Sequence, residues 1–161
     1  MITLRTILPT ETKAAIAVMN MVFQEIWHVS YTQVKRRYDA FEDMDDIDSY
    51  YLQNNGIFMV LEDAGKIIGT GGIGCLDEKT AELKRIWLLK EYRGLGLGRK
   101  LVESLLEFAR SHGYQRIELK VASPQIQPEA VGLYSSLGFV PTSNPGGEDE
   151  SIHMELMITD L

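Results

Sequence analysis

The segment Arg93-Gly94-Leu95-Gly96-Leu97-Gly98-Arg99-Lys100 sets three glycines among three cations. Glycines at 94, 96 and 98 leave backbone N–H groups unscreened by side chains. A helix is expected to begin here, and its first N–H groups have no intrahelical partner. Its dipole favours an anion at that end. Arg93, Arg99 and Lys100 add positive charge, and the whole describes a nest for a diphosphate. A plain flexible turn is the alternative, but glycine, strand-to-helix context and flanking cations coincide against it. No G-x-x-x-x-G-K-[ST] occurs, which disfavours a P-loop. Gly69-Thr70-Gly71-Gly72-Ile73-Gly74 satisfies G-x-G-x-x-G, yet Cys75 to Lys79 reads as a turn into another strand. It is read as a glycine-rich strand end with room for a ligand or a bulge.

The elements that must position this turn follow from hydrophobic periodicity. Met1 to Ile7 reads as a strand. Pro9-Thr10 opens a helix with Thr10 as N-cap, and Ile16, Met19, Phe23 and Ile26 form its apolar stripe. Trp27 to Phe41 reads as a loop with at most a helical turn, and Asp45 to Asn54 as a short acidic helix. Ile57 to Glu62 and Ile67 to Ile73 form a hairpin, and Thr80 to Leu89 a third strand. Leu97 to His112 is the clearest helix, with Gly113 as its C-cap glycine. Arg116 to Val121 is a strand, Pro128 opens a short helix ending at Leu137-Gly138, and Ile152 to Ile158 alternates as a last strand. The order β, α, α, β, β, β, α, β, α, β, β predicts an α/β chain with a mixed sheet and helices on both faces.

Three segments in order now resemble one family. Arg93-x-x-Gly96-x-Gly98 matches the Q/R-x-x-G-x-G/A signature of the GNAT superfamily of acetyl-coenzyme A-dependent N-acetyltransferases. Ala81-Glu82-Leu83-Lys84-Arg85-Ile86-Trp87-Leu88-Leu89 resembles that family's fourth strand. Ala130-Val131-Gly132-Leu133-Tyr134 to Gly138-Phe139 resembles its A-x-x-L-Y-x-x-x-G-F element. The resemblance implies the GNAT-type mixed, mostly antiparallel sheet and acetyl-coenzyme A as cosubstrate. Backbone amides of Arg93, Gly94, Leu95, Gly96, Leu97, Gly98, Arg99 and Lys100 would bind the pyrophosphate. The backbone of Trp87, Leu88 and Leu89 would pair with the pantetheine arm, and the Leu88 amide would polarise the thioester carbonyl. A β-bulge near Leu88 would open the sheet there.

Acetyl transfer to an amine needs a neutral nucleophile, and alkylamines resemble lysine at about pKa 10.4. Glu82, on the strand leading into the turn, is read as the general base or, equally, as an ion-paired glutamate. Strand parity places Glu82, Lys84, Ile86 and Leu88 on one face. On that reading, Glu82 lies some 20 Å up-strand from Leu88, which suits proton transfer through water. The leaving thiolate resembles cysteine at about pKa 8.5. Tyr134 matches the family's proton or hydrogen-bond donor, a core tyrosine being the alternative. Gln127 stands where the family often has a pantetheine-binding asparagine, and Lys90 where it commonly has proline.

Acceptor contacts are expected from Trp27, His28 and Tyr31, since the family's first helices line that site. The acidic runs Glu42, Asp43, Asp45, Asp46, Asp48 and Glu148-Asp149-Glu150 suggest a cationic amine.

Bulk properties narrow the classes. At 161 residues, 45% apolar and 24% charged, the chain suits a single globular domain over 1–161. A net charge of −7 disfavours nucleic acid as partner. The lone Cys75 allows neither an intramolecular disulfide nor a Cys-based zinc cluster, and His28, His112 and His153 lack ligand spacing. No metal is expected. No signal peptide or membrane-spanning run is evident, so a cytoplasmic location is expected. The partners implied are a small-molecule or peptide amine and, by resemblance, a second copy in a homodimer. A non-catalytic acyl-coenzyme A sensor on the same fold is the competing class.

Overall fold

The computed structural model describes residues 1–142 and 151–158. The acidic run Glu148 to Glu150 lies outside them. Seven strands form one sheet, β1 (Ile2–Thr6), β2 (Ile57–Asp63), β3 (Lys66–Cys75), β4 (Thr80–Leu88), β5 (Arg116–Val121), β6 (Val140–Pro141) and β7 (Ile152–Met157). Their order in space is β1-β2-β3-β4-β5-β7-β6. Every pair described is antiparallel except β4 with β5. A parallel pair needs a long crossover, here the helix α4 (Leu97–Ser111). The remaining α-helices among the described residues are α1 (Thr12–Trp27), α2 (Tyr31–Arg37), α3 (Glu42–Asp45) and α5 (Pro128–Ser136), with a π-helical turn over Asp48–Leu52 and a 3-10 turn over Lys90–Tyr92.

The mixed sheet with helices on both faces is as expected. A Cβ added at Gly71 would meet Leu101 and Leu105 of α4, whereas one at Gly72 would meet Tyr51 of the π turn. Neighbouring residues of a strand point to opposite faces. The α4 face and the α1–α2 face are therefore opposite.

Several boundaries differ from expectation. Thr10 does not cap α1. Glu11 occupies that place, and its carboxylate accepts from the Leu8 amide and from Arg5. The buried stripe of α1 is Ala15, Val18, Met19, Val22 and Phe23, with Ile16 and Ile26 at its margins. Part of the expected loop after Trp27 is helical. Ser30 and Gln33 form a reciprocal capping box that starts α2. The expected acidic helix is instead the single turn α3 followed by the π turn. Among the described residues no helix is long and apolar enough to cross a membrane.

Candidate active site

β4 and β5 pair only at Thr80↔Arg116, Ala81↔Ile117 and Glu82↔Glu118. Beyond Glu82 the two strands separate, although β4 continues to Leu88 and β5 to Val121. The β5-facing edge of β4 is thus unpaired over its last residues. An unpaired strand edge offers N–H and C=O groups to an extended ligand, which can add as a strand.

The direction of the Leu88 amide follows from a bulge. On β3 only Gly71 lies between Thr70 and Gly72, while on β4 both Arg85 and Ile86 lie between their partners Trp87 and Lys84. Arg85 takes a left-handed φ of 61°. The extra residue shifts the register by one, so the Leu89 amide, not that of Leu88, donates to Ile68 O at 3.0 Å. Amides alternate along a strand. The Leu88 N–H therefore points away from β3, into the gap beside β5.

The same bulge overturns the single-face reading of β4. Glu82 and Lys84 lie on the α1–α2 face, where Lys84 Nζ stands 3.1 Å from Tyr50 Oη and 3.6 Å from Glu82 Oε1. Ile86 and Leu88 lie on the α4 face, since Cβ atoms added at Gly71 and Gly69 would meet them. Trp87 returns to the α1–α2 face, edge-on to Phe23 at 5.2 Å and to Trp27 at 5.9 Å. Extra-residue bulges exchange faces in this way, and the sequence alone does not reveal where they fall.

The glycine turn opens α4 as expected. Gly94 and Gly96 both take φ 79°, and Gly96 is the N-cap without a side-chain cap bond. A side chain at either position would need the left-handed conformation that glycine adopts freely. The Arg93 amide is bonded to Lys90 O and the Lys100 amide to Gly96 O. Between them, the amides of Gly94, Leu95, Gly96, Leu97, Gly98 and Arg99 donate to no protein group among the described residues. Six unbonded donors beside a helix N-terminus fit a diphosphate, and the unpaired β4 edge fits the arm of coenzyme A.

Arg93 corrects one part of the sequence reading. Its side chain does not flank the nest as a free charge. It donates Nε to Leu88 O at 2.9 Å and both Nη atoms to Glu25 at 2.7 and 2.8 Å. Arg99 and Lys100 carry the net positive charge there. Arg99 also donates to Ser136 Oγ of α5 at 2.6 Å, tying the two helices together.

Tyr134 sits on α5, beside the first turn of α4, where Leu133 lies 3.9 Å from a Cβ added at Gly98. Its ring is buried edge-on against Phe139 at 5.8 Å. Burial pushes its phenol pKa up, so it stays protonated across neutral pH. Its hydroxyl has no hydrogen-bond partner among the described residues.

Trp27 spans the gap. Its Nε1 donates to Ser123 Oγ, just past β5, at 3.1 Å, while its ring packs on Trp87 of β4. Gln127 Oε1 accepts from the Ser123 amide at 3.2 Å, so this carboxamide orders the loop that Trp27 meets. Tyr31 is buried and stacks on Phe41 at 4.5 Å. Burial pushes its pKa up to about 12, against the Arg85 charge and with the help of Asp43, Asp45 and Asp39. His28 ends α1 at φ 58° with its side chain exposed, apart from this cluster.

Within the acidic run only Asp43 is buried, while Glu42, Asp45, Asp46 and Asp48 stay exposed. Asp43 is buried and Asp39 half-exposed, and both accept from Arg85. Asp45 pairs with Lys35, Asp46 accepts from the Ser49 amide, and Asp48 accepts from Gln53. Asp39 and Asp43 sit below the usual carboxylate range because Arg85 outweighs the cost of burial. Sequence reasoning missed Arg85 and Asp39. Their pairing joins residues 46 positions apart, a link that local pattern does not carry. Among the described residues no cluster of three metal-ligating side chains occurs.

Comparison with known proteins agrees with this geometry. The sequence profile described as the acetyltransferase (GNAT) family matches residues 20–139. Human N-acetyltransferase 8B is 41% identical over 106 residues, covering 62% of this chain and 46% of that protein. The chain spans about half the length of the first curated relatives it matches. A GNAT-family acetyltransferase of Staphylococcus aureus Mu50 superposes with a TM-score of 0.82 at 18% identity, covering 98% of this chain and 99% of that one. A structure from Salmonella typhimurium solved with acetyl-CoA as its cofactor gives 0.74 at 20% identity, covering 98% and 94%. With three quarters of its length matched by the family profile, the chain belongs to the acetyltransferase (GNAT) family.

Proposed function

We propose that this chain, acting as one domain, is an N-acetyltransferase that moves the acetyl group of acetyl-coenzyme A to a primary amine by direct attack in a ternary complex. The observation that carries this reading is the alignment of two donor sets. The six free amides of Gly94 to Arg99 lie at the end of the unpaired β4 edge, and the Leu88 amide points into the same gap. A diphosphate on the first set leaves an extended arm running along the second.

Bound acetyl-coenzyme A supplies the activated acyl group. The protein supplies orientation and charge. The Leu88 N–H meets the carbonyl oxygen as negative charge develops there, a donor typically worth about 10²–10³ in rate. Glu82, on the α1–α2 face, accepts the proton of the incoming ammonium through water. Lys84, which donates to Tyr50 Oη, stands 3.6 Å from that carboxylate and helps to hold it in place. Tyr134 donates a hydrogen bond to the departing sulfur. A phenol above its ordinary pKa does not give up its proton readily to a thiolate near pKa 8.5, so hydrogen bonding rather than full transfer is its role. Trp27 and Tyr31 bound the acceptor side, and Gln127 keeps the facing loop in place.

The acceptor lies on the α1–α2 face. Arg85 pairs with Asp39 and Asp43, and Lys35 with Asp45, but Glu42, Asp46 and Asp48 have no cationic partner among the described residues, and this remaining negative charge supports a cationic amine as acceptor. Calorimetry tests the donor half. Acetyl-coenzyme A binds and ATP and NAD do not, and the reverse order would remove the reading.

A further inference from the structure

Three backbone irregularities on the α1–α2 face meet at one polar cluster. Arg85 is left-handed at the bulge, with φ 61°. Phe41, with φ 51°, is left-handed before α3, and its ring lies 4.7 Å from the Arg85 guanidinium carbon. The π turn Asp48–Leu52 presents Tyr51, whose hydroxyl donates to Asp43 Oδ2 at 2.5 Å. Arg85 reaches Asp43 with Nε at 2.9 Å and Nη2 at 2.6 Å, and Asp39 with Nη1 at 2.7 Å. From below, the fully buried Thr70 donates Oγ1 to the Arg85 carbonyl at 2.7 Å. A left-handed arginine persists only where its surroundings over-determine it. Here both its carbonyl and its guanidinium are held.

What this clamp fixes is the register downstream. Without the extra residue, Leu88 would stand opposite Ile68, and its amide would be spent on Ile68 O as that of Leu89 now is. The geometry points to Arg85 as a positioning residue that, anchored by Thr70, Asp43 and Asp39, aims the Leu88 amide at the thioester carbonyl. Asp39 and Asp43 lie in the segment between α2 and β2, so that segment is coupled to the donor strand through the Arg85 side chain, while Thr70 holds the bulge from β3. The inference rests on the acetyl-transfer reading and deepens it.

The test uses the full chain and acetyl-coenzyme A labelled at the carbonyl. Isotope-edited infrared spectroscopy reads carbonyl polarisation, calorimetry reads Kd, and free-thiol release with an accepted amine reads kcat and KM. Thr70→Val, close in shape but without the hydroxyl, is expected to shrink the carbonyl shift and lower kcat about tenfold or more. Its Kd and KM for acetyl-coenzyme A stay within about threefold, because the glycine turn is untouched. Thr70→Ser restores both signals. Asp43→Asn repeats the Thr70→Val pattern. Arg85→Gly, which tolerates the left-handed φ but removes the guanidinium, also lowers kcat. Folded Thr70→Val and Arg85→Gly proteins with the wild-type shift and kcat would overturn the inference. So would activity lost only in proportion to the folded fraction, or a Thr70→Ser protein as impaired as Thr70→Val. A wild-type protein that binds no acetyl-coenzyme A contradicts the proposed function instead, so the two failures are distinct.

Discussion

Tyr134 keeps its proton because burial disfavours its phenolate, and its hydroxyl has no protein partner among the described residues. Removing that one oxygen should therefore cost rate rather than packing. Tyr134→Phe is expected to lower kcat by about 10²-fold with little change in acetyl-coenzyme A affinity, as steady-state kinetics and calorimetry would show. Asp43 makes the opposite kind of contribution. Arg85 depresses its folded-state pKa, so its stabilisation is complete above the unfolded value of about 3.9. It is lost as pH falls through that value towards the folded pKa. Thermal unfolding followed from neutral pH to about pH 3 should show a falling Tm for the wild type. Asp43→Asn should start lower and fall less steeply over the same window. Asp43 was visible in the sequence only as one acid among five. Its partner Arg85 was hidden, because nothing local joins the two.

At the scale of elements, the glycine turn is the most legible part of the site. Its spacing and the start of α4 are both local, and the six unbonded amides follow from them. Gly96→Ala places a Cβ on a residue at φ 79°, a strain of about 1–2 kcal/mol that chemical denaturation would register. Neutralising Arg99 and Lys100 together should weaken acetyl-coenzyme A binding and flatten its salt dependence. Replacing Arg93 and Glu25 together by glutamine removes a neutral ion pair and should leave that salt dependence nearly unchanged. Titrations at two ionic strengths separate the cases. The bulge was less legible. Its presence near Leu88 was expected by resemblance, but its position at Arg85 depends on pairing with β3, and it exchanged the faces of Ile86, Trp87 and Leu88 relative to Glu82. The α2 helix was legible but overlooked. Ser30-x-x-Gln33 spells its capping box, hidden behind an aromatic and polar stretch that otherwise reads as loop.

For the whole molecule, topology explains why the parts converge. The single parallel pair among the described strands requires a crossover, and α4 supplies it. A crossover helix must start beyond the carboxyl end of β4, which is where β4 and β5 have already parted. Ligands of α/β sheets gather at such ends. The net charge of −7 is spread over a surface whose local cations, Arg99 and Lys100, stand at this end. Element order in the sequence was enough to predict the mixed sheet. The length of the β4–β5 gap was not, since it is set by how far two distant strands stay paired. The central claim is that this gap and turn serve acetyl transfer and not mere cofactor capture. Free-thiol release from acetyl-coenzyme A, screened against amines, peptides and aminoglycosides, tests it most directly. The account predicts amine-dependent thiol release that falls about 10²-fold in Tyr134→Phe while binding is retained. Tight binding of acetyl-coenzyme A with no thiol released by any acceptor would contradict it.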